Sequence, residues 1–143
     1  AKLLGVSEAD IDQAELHPFV AAAFEAWLHL GKKTWLESFA AVSMVEAINS
    51  NTIVPTGGFS YRARERLVSD LGIARESLTN RNVHVEADQE HALLLEKILR
   101  RHVKSEAMED VVLAALKQTL IIDRAYRAGL AFVMNQIPET EAA

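Results

Sequence analysis

Residues 82–102 read NVHVEADQEHALLLEKILRRH and form the most informative stretch of the chain. At about 100° per residue of an α-helix, His84, Asp88 and His91 fall at about 0°, 40° and −20°, on a single stripe. The same stripe carries apolar side chains further along the helix (Leu95, Ile98 and Leu99). Burying such polar groups without partners costs roughly 1–3 kcal/mol each, so the pattern predicts that they are satisfied together.

Helical periodicity extends over most of the 143 residues. Cap residues and breakers predict six helices, and no segment alternates with period two as a strand would. The expected fold class is an all-α helical bundle forming a single domain over residues 1–143. The predicted helices cover residues 7–11, 18–30, 34–49, 59–71, 78–103 and 105–136.

Composition excludes several classes of function. The formal net charge is −5, and no basic face is concentrated enough to indicate a nucleic-acid partner. Because the chain has no cysteine, it has neither a disulfide framework nor a thiolate nucleophile. No apolar run approaches the roughly 18 residues of a membrane span. These features favour a cytoplasmic protein with no membrane partner.

A second helix also places an acid on an apolar face. Trp35, Phe39, Val42 and Glu46 fall at about 0°, 40°, −20° and 20°, so Glu46 ends an otherwise apolar stripe. Imidazole and carboxylate side chains together are ligands that suit iron, and open positions at such a site suit oxygen chemistry. The alternative is a core polar network in which these histidines and carboxylates satisfy one another.

The stretch HVEADQEH resembles the ligand-bearing helix of the haem-oxygenase-like di-iron oxidase and oxygenase superfamily, which includes the TenA-like and PqqC-like families. Members carry a His, an Asp four residues later and a second His three residues after that, which correspond to His84, Asp88 and His91. They also carry a Glu on a preceding core helix, and WLESFAAVSMVEAI places Glu46 there. The resemblance implies a haem-oxygenase-like bundle, with these four residues as metal ligands.

The resemblance further implies a non-haem iron oxidase or oxygenase that activates O₂ on a small organic substrate. Two alternatives stay open: a cofactor-free oxidase similar to PqqC, and a non-catalytic helical binding or assembly domain that retains the fold. A TenA-like hydrolase is disfavoured because that family uses an active-site cysteine. Haem is disfavoured because haem-degrading relatives take their axial histidine from an earlier helix.

The family pattern includes an earlier helix that supplies another Glu and His, and no counterpart precedes KLLGVSEAD. We therefore expect this chain to form the C-terminal part of such a bundle and to hold at most one iron by itself. The apolar stripe around Trp35 and Val42 would then lack a cover. Since exposed apolar patches mark interaction sites, we expect a homodimer or larger homo-oligomer.

Overall fold

Short polar motifs fix where the helices begin. In the computed structural model, which describes residues 5–136, Ser7 and Asp10 form a capping box at the start of the first helix. Thr34 and Glu37 form a second one, as the sequence predicted. In each box the hydroxyl accepts from a free backbone N–H of the first turn, while the acid accepts from the backbone of the cap residue.

The described residues are all-helical, with no strand among them, which confirms the predicted fold class at that level. A 3₁₀ turn at Arg75–Ser77, which the sequence did not predict, precedes the fifth helix. The α-helices in chain order are α1 (Glu8–Gln13), α2 (Pro18–Gly31), α3 (Trp35–Asn49), α4 (Phe59–Leu71), α5 (Thr79–His102) and α6 (Glu106–Met134).

The end of α4 shows why a glycine is needed there. Gly72 has φ +64°, in the left-handed region that L side chains rarely adopt. Its N–H donates to the Val68 carbonyl, and the N–H of Ile73 donates to the Leu67 carbonyl. These bonds satisfy carbonyls that the last turn of the helix leaves open.

The chain divides into two compact units, each described by itself. One unit comprises residues 30–120 and contains α3, α4, α5 and the first half of α6. Its apolar core joins α3 to α6 through Leu36, Ala40, Val112 and Ala115. Partly buried side chains pack against that core (Leu99, Val103, Met108 and Leu116).

The described part of the other unit comprises residues 5–29 and 121–136 and is held by aromatic contacts between α2 and the end of α6. The Phe19 and Phe132 rings pack edge to face, and so do Trp27 and Tyr126. Gly129 is required at this contact, because a Cβ there would lie 2.5 Å from the Cβ of Phe19.

Among residues 5–136, none of the helices is both long enough and apolar enough to cross a membrane. Several large apolar side chains are nevertheless exposed. On α3, Trp35 and Val42 expose 58% and 52% of their surface. The stripe that the sequence predicted to be apolar is therefore open to solvent over much of its length in this chain.

Candidate metal centre

The candidate centre lies in the unit of residues 30–120, where α3 packs along α5. The Trp35 ring contacts His102 with centroids 5.6 Å apart, and Glu46 lies beside His91. The start of α3 thus meets the end of α5, so the two helices run antiparallel. This direction brings Glu46 level with the middle of α5.

Three of the four predicted ligands come together. Glu46, Asp88 and His91 each offer a ligand atom, and these atoms all lie within 4.8 Å of one another. Nδ1 of His91 is 3.4 Å from Oε2 of Glu46. Two carboxylates and an imidazole at this separation form a donor set suited to a divalent transition metal.

Asp88 is the buried member of the cluster, with only 3% of its surface exposed. Its Oδ2 accepts a hydrogen bond of 2.9 Å from the Ser60 hydroxyl. Its Oδ1 lies 3.2 Å from Nδ1 of His84, where only a protonated nitrogen can donate to the carboxylate. Asp88 is thus held by one group from α4 and one from its own helix.

His84, the fourth predicted ligand, is outside the three-residue group. Its imidazole bonds Asp88 through Nδ1, and in that tautomer the lone pair of Nε2 is free. The structure therefore places His84 beside the three-residue group, as the hydrogen-bond partner of Asp88.

Both histidines are more open than the helical pattern suggested. The side chain of His84 is 51% exposed and that of His91 is 56% exposed. The expectation that both histidines point into the core was wrong. The buried face of α5 centres on Val85, Asp88 and Ala92, and this face lies part of a turn away from the two imidazoles. Both histidines consequently lie along one edge of the buried face, and only the aspartate lies within that face.

Whether a cation fits this cluster can be judged from its buried oxygens that accept no hydrogen bond. Oε2 of Glu46 is buried and makes no hydrogen bond, although His91 lies within ion-pair distance of it. One turn further along α3, Oδ1 of Asn49 is also buried and lacks a donor. Buried hydrogen-bond acceptors normally have partners, and a metal ion bound to Oε2 would give Glu46 the partner that this oxygen lacks. The residues present therefore fit a divalent metal.

Ser60, which no sequence pattern singled out, contacts the candidate centre through Asp88. It is buried in the first turn of α4, 28 residues before Asp88 in the chain. Its place depends on the loop that leads into α4, where the Gly58 N–H donates to Oδ1 of Asn51 over 2.7 Å. A Cβ on Gly58 would lie 1.7 Å from the carbonyl oxygen of Asn49. The pair of glycines before Phe59 was the available signal for this close approach between helices.

Comparisons of this chain with protein-family models, with curated proteins and with solved structures gave no match.

Proposed function

We propose that Glu46, Asp88 and His91 bind one divalent transition metal, iron by resemblance to the haem-oxygenase-like superfamily, and that the protein is a non-haem iron oxidase or oxygenase. The observation that carries the proposal is the convergence of the three ligand atoms within 4.8 Å around a buried glutamate oxygen that has no donor. A bundle of the haem-oxygenase type is part of the same proposal.

Each side chain has a distinct part in this proposal. Asp88 supplies a fixed negative charge from the interior, and Glu46 supplies a second one across the interface between α3 and α5. His91 supplies a neutral nitrogen from the solvent side, where it is 56% exposed. Bound ferrous iron would supply the redox chemistry with O₂, and the organic substrate, which would reach the centre from the open side, would be oxidised and so provide the remaining electrons.

A core polar network is the competing proposal, and one observation favours it. Asp88 is already bonded to Ser60 and His84 without any ion. On that proposal the domain is a binding or assembly module, and the histidines only keep the carboxylates paired.

An anaerobic titration of the metal-free protein with ferrous iron separates the two proposals. The metal centre predicts one iron per chain, with affinity falling by a factor of 10 or more, about 1.4 kcal/mol, in Glu46→Gln and in His91→Ala. His102→Ala is the matched control, because it removes a histidine from the same helix outside the cluster. Admission of O₂ should then give oxygen uptake beyond that of free ferrous iron. Equal binding by His91→Ala and His102→Ala would support the polar network.

A further inference from the structure

We propose that Ser60 is a positioning residue of this metal centre, because its hydroxyl holds one oxygen of Asp88 and leaves the other as the single ligand oxygen. The inference rests on the proposed function. Ser60 donates to Oδ2 of Asp88 over 2.9 Å, and both residues are buried.

The two oxygens of Asp88 have different surroundings. Oδ2 is engaged by Ser60, while Oδ1 faces Nδ1 of His84 at 3.2 Å. Each carboxylate oxygen has two lone-pair directions, so Oδ1 can accept from His84 and still bind a cation. The two hydrogen-bond partners come from α4 and α5 and hold the carboxylate in one orientation, and the shorter of the two bonds makes Oδ2 a poorer ligand for a cation than Oδ1. Asp88 should therefore bind through one oxygen only.

The serine is itself held by its surroundings. Gly58 lies against the end of α3 with no room for a side chain, and its N–H is bonded to Asn51. The loop thereby fixes the start of α4 relative to α3, the helix that carries Glu46. Groups that orient metal ligands in this way typically change metal affinity by about 10- to 100-fold when they are removed.

Titration of the metal-free full chain with Co²⁺ tests the inference. Ser60→Ala should bind Co²⁺ about 10- to 100-fold more weakly than the unsubstituted protein. Ser60→Thr, which keeps the hydroxyl, should retain most of the affinity for Co²⁺. Ser60→Val, which has the shape of the threonine variant but no hydroxyl, should bind as weakly as Ser60→Ala. Ser43→Ala is the matched control, since this buried serine donates only to the Phe39 carbonyl of its own helix.

The visible spectrum of bound Co²⁺ supplies a readout that loss of stability would not move. Release of Oδ2 in Ser60→Ala should let Asp88 bind through both oxygens, which raises the coordination number and weakens the Co²⁺ absorption bands. Circular dichroism checks that each variant is folded, and if Ser60→Ala is unfolded, the comparison of Thr with Val at this position decides.

The outcomes separate the two proposals. Unchanged affinity and spectrum in Ser60→Ala, with binding lost in Asp88→Asn, would overturn the role of Ser60 and leave the metal centre standing. Absence of Co²⁺ and Fe²⁺ binding by the unsubstituted chain would overturn the metal centre and the inference with it. Weak binding by both Ala and Val variants, with the Thr variant restored, supports the inference.

Discussion

At the scale of single residues, Gly58 holds the loop before α4 against the end of α3, two residues before Ser60 of the candidate centre. A methyl group at this position would lie 1.7 Å from the carbonyl oxygen of Asn49, so the backbone would have to move. We expect Gly58→Ala to lower the free energy of unfolding by about 1–3 kcal/mol, the usual range for overpacking. Urea denaturation measures the change.

The control for this prediction is Gly31→Ala at the end of α2, where a Cβ would meet nothing within 4 Å. Since alanine favours a helix over glycine, that change should leave stability equal or higher. Equal stability losses at the two glycines would contradict the packing argument. Because the start of α4 moves in Gly58→Ala, this variant should also bind Co²⁺ more weakly.

At the same scale, the sequence located the cluster but missed part of its geometry. Periodicity identified the polar face of α5, and the structure brings Asp88 and His91 to Glu46. Periodicity could not give the rotation of α5 against its neighbours. That rotation leaves the histidines at the edge of the buried face. Ser60 was missed because a lone serine in a first turn has no spacing that relates it to a partner 28 residues away. Metal binding by these residues stays a prediction.

At the scale of helices, the cap at the start of α3 can be tested separately from the centre. The Thr34 hydroxyl accepts from the backbone N–H of Glu37. Thr34→Ala should lower the free energy of unfolding by about 1 kcal/mol, as loss of an N-cap typically does. Thermal or urea unfolding measures this.

Thr79→Ala is the matched control, because Thr79 begins α5 at an end that has no side-chain cap. If Thr79→Ala lowered the free energy of unfolding as much as Thr34→Ala, the loss at α3 would reflect the threonine-to-alanine change itself. The cap would then contribute nothing. Iron affinity should stay the same in both variants.

An ion pair joins α4 to the 3₁₀ turn before α5 and gives a dependence on pH. The Arg75 guanidinium donates to both carboxylate oxygens of Glu65 over 2.6 and 2.8 Å. These bonds lower the pKa of Glu65 from its ordinary 4.5 to about 2. Since the folded state holds the proton less tightly than the unfolded state, the pair stabilises the fold above pH 4.5, and that contribution is lost as the pH falls towards about 2.

Unfolding in urea at a series of pH values tests the pair. Glu65→Gln should be less stable than the unsubstituted protein near neutral pH, and the difference should shrink between pH 4.5 and about 2. Glu90→Gln, at an exposed position on α5, should show no such trend. A difference that stays constant down to the lowest pH would contradict the assignment to Glu65.

The boundaries of the helices followed closely from local rules, whereas the 3₁₀ turn did not. Capping boxes and breakers act through neighbouring residues, so a sequence pattern contains them. The turn at Arg75–Ser77 depends instead on Glu65, ten residues earlier, and is followed by the buried Leu78. Such contacts arise only once α4 and α5 are placed side by side.

At the scale of the whole molecule, the open stripe on α3 predicts self-association. Trp35 and Val42 expose more than half of their surface on one side of this helix. We expect the sedimentation coefficient of the chain to rise with concentration, and Val42→Lys to reduce that rise, because it places a charge within the apolar stripe. Ala114→Lys, at an exposed position on α6, is the control.

A sedimentation coefficient independent of concentration, or equal association by Val42→Lys and the unsubstituted chain, would contradict the prediction. The unsubstituted chain and Val42→Lys should both be measured free of metal, so that metal binding does not contribute to the difference between them.

His91 turns 56% of its side chain to solvent, while Asp88 behind it is closed off. A cation bound between them could be approached by a chelator only from the imidazole side. On the proposed function, its release would require His91 to swing away, while all three side chains together would set how tightly it is held at equilibrium.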